Sequence, residues 1–282
     1  VVLIEADKTM DSKIKMVITD LDGTLLYDNL PIATENIEAL RELRAKGIYC
    51  VIATGRSLFS LYKVIPADFP LDYLIFSTGT GIMNWQQKEI ISSQHLKREC
   101  VEKIVAILLE FEVDFMVHET LPENHKFYYF GSDKPNPDFA RRIALYHDHA
   151  QRVRFPIDID EAAQCLVILR PDQLQLFDMI KQRLDFVKVV RTTSPLDHRS
   201  IWLEIFPKHV SKGKAAAELA ERLGLSADEI IGIGNDYNDI DLLDWTRTSF
   251  VVNNAPPELK EKYHTVRRDD HKGFYQIIKK LL

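Results

Sequence analysis

Ile14-Lys15-Met16-Val17-Ile18-Thr19 runs straight into Asp20-Leu21-Asp22-Gly23-Thr24, and this junction decides the fold. The first six residues form a short, continuous apolar run of the kind that makes a buried strand, and Asp22-Gly23 is a turn pair that closes it. A strand apolar on both faces belongs to a parallel sheet covered by helices on each side. Such sheets bind ligands beyond the carboxyl ends of their strands, which is where Asp20 and Asp22 stand. Residues i and i+2 of an extended chain point the same way, so the two carboxylates are expected to share one space. Gly23 lets the backbone turn close beside whatever they hold. Like charges in one pocket raise a pKa unless a cation neutralises them, and a hard cation with oxygen ligands, Mg²⁺ first, meets that demand. Taken alone, a plain acidic turn explains the stretch equally well.

The pattern repeats outward from this strand. Thr34 is an expected N-cap, Ile37, Leu40 and Leu43 make an apolar helical stripe, and Gly47 stops it. A strand at 48–53, a helix at 58–65 and a strand at 73–76 follow. Near the C-terminus the sequence predicts a helix over 214–223 capped by Ser211, a strand over 229–233, a helix over 240–245 and a strand over 250–252. From 85 to 206 the texture changes. Amphipathic helices at 101–111 and 174–184 mix with alternating or aromatic strands at 126–130, 164–169 and 201–205. The expected fold class is therefore α/β: a Rossmann-like parallel-sheet core from 13–84 and 207–282, interrupted by a large inserted α+β module at 85–206. Residues 1–12 read as an N-terminal extension.

Length and composition bound the function. The 282 residues allow one or two domains, with 36 Lys and Arg against 42 Asp and Glu for a net charge of −6. An acidic chain without a basic run is a poor nucleic-acid binder, because such binding rests on phosphate neutralisation. Cys50, Cys100 and Cys165 lie far apart with no paired spacing, which favours a reducing compartment. No apolar run is long enough for a membrane helix. A cytoplasmic protein with no membrane partner is expected.

Three more polar clusters stand where strands end. Thr54-Gly55-Arg56 offers a hydroxyl and backbone N–H donors suited to an anion. Ser211-Lys212-Gly213-Lys214 opens a helix with a lysine where the helix dipole disfavours a cation, so Lys212 makes better sense facing a carboxylate and a bound phosphate. Gly234-Asn235-Asp236-Tyr237-Asn238-Asp239 is rich in oxygen, able to ligate a metal or orient a lysine, although helix capping explains part of it.

These four clusters, in this order, resemble the haloacid dehalogenase superfamily of phosphotransferases, and within it the Cof-type, sugar-phosphatase-like branch. Asp20 to Thr24 match the D-x-D-G-T motif in full. The resemblance implies that the inserted module is a cap, that Asp20 is the nucleophile forming an aspartyl-phosphate, and that Asp22 is the general acid and then base. It implies phosphate held by Asp20, Thr54, Gly55, Lys212 and Asn238, and Asp239 as the group orienting Lys212. Mg²⁺ is implied as cofactor, bound by Asp20, the Asp22 carbonyl and the first polar residue of the fourth motif. Asn254, in Asn254-Ala255, and Gly273 resemble weaker late elements. Two departures stand out. The family's fourth motif usually begins Gly-Asp, whereas Asn235 follows Gly234 here; Asn235, whose position matches the family ligand, is the expected metal ligand, with the adjacent Asp236 as the alternative. Ser77-Thr78-Gly79 stands where relatives often carry Asn-Gly, a change whose consequence is expected to be local to the turn.

The implied activity is hydrolysis of small phosphorylated metabolites, sugar phosphates first. A phosphomutase, or a non-catalytic ligand-binding protein on the same scaffold, are the alternatives. His118, His125, His147, His149 and His198 are expected on solvated faces of the cap, Phe127–Phe130 in its sheet, and Arg191, His198 and Arg199 on its surface. The sequence names neither the substrate nor the oligomeric state.

Overall fold

In a computed structural model of the chain, the described residues are 14–27, 30–266 and 271–281. The expected extension at 1–12 lies outside them. Two compact units emerge. One holds the described residues through Gly55, Ile65–Ser92 and those from Ser211 on; the other holds Arg56–Val64 and Ser93–Val210.

The first unit is built on a sheet that, among the described residues, runs His264–Thr265, Thr248–Val251, Ile230–Gly234, Met16–Thr19, Tyr49–Ala53, Tyr73–Phe76, Gly81–Asn84, Glu89–Ser93. The first six are parallel. These six strands are the expected parallel core, and Gly81–Asn84 adds a strand that returns antiparallel to Tyr73–Phe76. Strand order reverses between Met16–Thr19 and Ile230–Gly234, which makes the carboxyl ends of those two strands the switch point where such sheets bind ligands.

The core explains why the strands are apolar on both faces. Met16, Ile18, Val51, Ala53 and Ile75 pack with Ala215, Ala216, Leu219 and Ala220 of helix Lys212–Arg222. On the opposite face Val17 and Ile231 line one small cavity with Leu43 of helix Thr34–Ala45 and Ile278 of helix Gly273–Leu281. Thr34 proves to be the first helical residue rather than the cap: Ala33 holds the cap position and no side chain bonds there. The expected helix after Thr54 shrinks to one turn, Leu58–Leu61, capped by Ser57.

Helix Lys212–Arg222 starts where Ser211 accepts a hydrogen bond from the Lys214 N–H. Gly213 in its first turn lies against the backbone carbonyl of Asp241, in helix Ile240–Trp245. A Cβ there would collide with that carbonyl, so only glycine lets the two helices approach this closely.

The second unit carries a six-stranded sheet in the order Lys188–Thr193, Ile201–Phe206, Gln164–Leu169, Phe115–His118, Phe127–Phe130, Ala150–Arg152. Phe115, Val117, Cys165, Val167, Leu203 and Ile205 alternate onto one face, which helices Arg98–Glu110 and Leu174–Arg183 cover with Val101, Ile104, Phe177 and Ile180. Met116, Leu166, Ile168 and Trp202 fill the other face against Phe139. Phe139 sits on helix Pro137–Leu145, which the sequence analysis missed although Asn136-Pro137 is a cap followed by an N1 proline.

Gly213→Ala tests the close approach. Helix propensity alone favours alanine by about 1 kcal/mol. The clash reverses the sign, for an expected net loss of about 1–3 kcal/mol in urea unfolding. A stabilised variant would show that the helices do not meet there.

Candidate active site

Each polar cluster is placed by a backbone feature. Asp20 leaves the first strand with its N–H bonded to the Ile233 carbonyl at 2.8 Å, which fixes it at the switch point. The Lys212 side chain is fully buried. Its ammonium donates to Asp20 Oδ1 at 2.6 Å and Asp239 Oδ1 at 2.7 Å, with Asn238 Oδ1 at 3.4 Å. Asp239 is itself fully buried, and its second oxygen accepts the backbone N–H groups of Asn235 at 2.8 Å and Asp236 at 3.1 Å. One carboxylate thereby holds both the lysine and the turn that follows Gly234.

A buried ammonium is tolerated only when paired and hydrogen-bonded, and two carboxylates do this for Lys212. They also push its pKa up, against the burial that works to lower it. Asp20 is pushed up to about 8, first by burial and then by the Asp239 and Asp22 carboxylates, while the Lys212 ammonium pulls the other way.

Asp22 departs from the expected shared environment: it is exposed, whereas Asp20 is buried. Its charge still reaches Asp20. Gly23 has φ +78°, and its carbonyl accepts from Asn254 Nδ2 at 2.9 Å, which ties the late Asn254 to the first motif. Thr54 is fully buried at the end of its strand. Its carbonyl accepts from the Thr78 N–H at 3.0 Å. The α-carbon of Gly55 faces the Thr78 hydroxyl and the Asn238 amide. Thr54, Gly55 and Asn238 thus lie about one end of the sheet with Thr78, whose departure in the sequence was expected to matter only within its own turn. Ser77 and Thr78 have φ of 50° and 58°. For a β-branched residue that conformation is strained, whereas asparagine tolerates it better.

Asn235 and Asp236 part ways. The Asp236 carboxylate caps the following turn by accepting the Tyr237 N–H at 2.8 Å. The Asn235 side chain instead sets one terminal amide atom 3.1 Å from Asp20 Oδ2 and 3.0 Å from the Asp22 carbonyl oxygen.

Among the described residues no three His, Cys, Asp or Glu side chains cluster as a metal site. A cation here would need mixed oxygen donors, and the Asp20 carboxylate, the Asp22 carbonyl and the Asn235 amide provide them. The Asn235 amide atom lies 3.1 Å from Asp20 Oδ2 and 3.0 Å from the Asp22 carbonyl oxygen, separations that suit adjacent ligands of a small octahedral ion. Mg²⁺–oxygen bonds of about 2.1 Å put neighbouring ligands about 3 Å apart. The donor set fits Mg²⁺.

In the second unit, two histidines depart from the expected solvated faces. His118 is buried, its Nδ1 donates to the Asn124 carbonyl at 2.8 Å, and burial lowers its pKa to about 3. His125 stacks on Phe59, ring centres 4.3 Å apart, with His149 edge-on at 4.7 Å. His147 is exposed, and Arg191 and Arg199 are exposed as expected. Gly273 packs against Val252 at the start of the last helix.

The haloacid dehalogenase-like hydrolase profile matches residues 17–278. The chain is 27% identical over 290 residues to the Bacillus subtilis 5-amino-6-(5-phospho-D-ribitylamino)uracil phosphatase YwtE, covering 95% of this chain and 98% of that one. It is 27% identical over 258 residues to the HMP-PP phosphatase of Klebsiella pneumoniae, covering 87% and 86%. The solved phosphatase BT1666 from Bacteroides thetaiotaomicron shares the fold, with a TM-score of 0.77 at 20% identity over 95% of each chain.

Asp239→Ala removes a lysine partner and the acceptor of two N–H groups together. It is expected to cost about 3 kcal/mol or more in chemical unfolding, with Asp239→Asn losing less. A loss below about 1 kcal/mol for the alanine variant would mean that the buried triad does not hold the site together.

Proposed function

The chain belongs to the haloacid dehalogenase-like hydrolases and is a phosphatase of that type, and from this premise we propose that it is a Mg²⁺-dependent phosphomonoesterase acting on small phosphorylated metabolites, sugar phosphates first. The observation that carries the proposal is the buried Lys212 ammonium 2.6 Å from Asp20, beside the oxygens of Asp22 and Asn235. An ionised carboxylate and a phosphate dianion must meet for the chemistry to begin. At 4 Å and an effective dielectric of 20 their repulsion is roughly 8 kcal/mol. Lys212 offsets part of it and holds the Asp20 carboxylate in a fixed direction.

Asp20, Asp22 through its carbonyl, and Asn235 would hold Mg²⁺, which when bound supplies positive charge to the phosphoryl oxygens. Thr54, Gly55, Asn238 and Lys212 would hold the phosphate. An Asp20 oxygen attacks phosphorus while the bond to the leaving alcohol breaks, and Asp22 in its acid form gives that alcohol its proton. The phosphoryl group is then an acyl phosphate on Asp20. Asp22, now ionised, takes a proton from water as its oxygen attacks phosphorus, which releases inorganic phosphate and restores both carboxyl groups. Asp22 suits this exchange because it is exposed while Asp20 is buried. Asp239 acts through Lys212 and through the Asn235 and Asp236 N–H groups, so its role is positioning.

The second unit is proposed to serve as the cap that selects substrates. The named substrate of the Bacillus relative carries a phosphorylated ribityl chain, which is in keeping with a small polyol phosphate. No helix among the described residues is long and apolar enough to cross a membrane. The three unpaired cysteines suit a reducing compartment, and the cytoplasm is the proposed location.

Phosphate release from an aryl phosphate and a panel of sugar phosphates tests the proposal. Release should require Mg²⁺, stop with EDTA, and fall by about four orders of magnitude or more in Asp20→Asn. Full activity in that folded variant would refute the nucleophile assignment. Isomerised sugar phosphate without free phosphate would identify a mutase.

A further inference from the structure

Asn235 follows Gly234 at the switch point, and its amide has two unlike ends. The terminal atom of Asn235 that faces Asp20 Oδ2 and the Asp22 carbonyl meets two acceptors. With Asp20 ionised and no cation between them, an oxygen there would leave three acceptors facing each other, whereas the nitrogen in that position donates to both. The Thr24 hydroxyl, 3.4 Å from the same atom, accommodates either end because it both donates and accepts. The NH₂ group thus occupies the side of Asn235 from which a cation would have to be bound, and it has no lone pair to offer one.

We propose that the Asn235 amide turns over when the cation enters, and that this makes cation and phosphate load as a coupled pair. The proposal rests on the Mg²⁺ dependence proposed above. Without a cation, the NH₂ group bridges Asp20 and the Asp22 carbonyl as an internal substitute for positive charge. A cation has to displace those two hydrogen bonds and receives a neutral oxygen in return, so it binds more weakly than it would to an aspartate. The same neutrality favours the phosphate. With an amide where a carboxylate could stand, the pocket holds one negative charge fewer, so a bound divalent cation offsets more of what remains. Phosphate then enters a less negative pocket and, by linkage, tightens the cation by the factor that the cation tightens phosphate.

Calorimetric titration of Mn²⁺ into the full chain, with and without saturating inorganic phosphate, tests this in the wild type and in Asn235→Asp. The wild type is expected to gain at least tenfold in Mn²⁺ affinity when phosphate is present. Asn235→Asp is expected to bind Mn²⁺ at least tenfold more tightly than wild type without phosphate, and to gain less than the wild type from it. Its cation-free form should melt below the wild type, because the bridging NH₂ becomes a third carboxylate. A readout free of any variant is the Asn235 side-chain amide resonance, which should shift when Mg²⁺ is added. Equal Mn²⁺ affinity in the two proteins, no gain with phosphate, or an unmoved amide resonance, in protein that still hydrolyses phosphate esters with Mg²⁺, would overturn the coupling and leave the phosphatase assignment standing. No Mn²⁺ binding to either protein, with no hydrolysis, would overturn both.

Discussion

A lysine with no exposed surface, held between Asp20 and Asp239, is the constraint around which the first unit is arranged. Withdrawing an ammonium and two carboxylates from water costs several kcal/mol per ion, and only short, well-directed contacts recover it. Those contacts draw on three distant stretches: the end of the first strand, the first turn of helix Lys212–Arg222, and the turn after strand Ile230–Gly234. The parallel sheet brings the two strand ends together at its switch point, and Gly213 lets the helix seat closely enough for its first residue to reach them.

The same arrangement makes chemistry possible at a cost in stability. Asp20 is buried, beside like charge, and its pKa rises accordingly. A group poised in this way is answered by any positive charge that arrives, which is a condition for a nucleophile that must meet a phosphate. The remaining oxygens nearby are not spare: Asp239 is spent on Lys212 and two N–H groups, and Asp236 on capping a turn. In this turn the Asn235 side chain is turned toward Asp20 and the Asp22 carbonyl.

Much of this was legible beforehand. The junction at Thr19-Asp20 announced a core strand ending in carboxylates, and a lysine at a helix N-terminus, where the dipole disfavours it, pointed to a carboxylate partner; Lys212 has two. What escaped depended on contacts distant in sequence. The antiparallel return at Gly81–Asn84 has the same apolar texture as a parallel strand, and periodicity cannot separate them. Burial of His118 follows from its place on a sheet face, which a lone histidine does not declare. The left-handed Thr78 was hidden because threonine is not a residue that advertises that conformation. Which way Asn235 faced could not be told from two adjacent polar residues until the turn's capping pattern was known.

The central claim is that Asp20, held by Lys212, takes the phosphoryl group onto its own carboxylate. Mixing the enzyme with a sugar phosphate and Mg²⁺, quenching in acid within the first turnover and mapping peptides by mass spectrometry tests it directly. The account predicts a phosphoryl increment on the peptide carrying Asp20, discharged by hydroxylamine and missing in Asp20→Asn. Active enzyme that releases phosphate while no peptide gains that increment at any quench time, or gains it elsewhere, would contradict it.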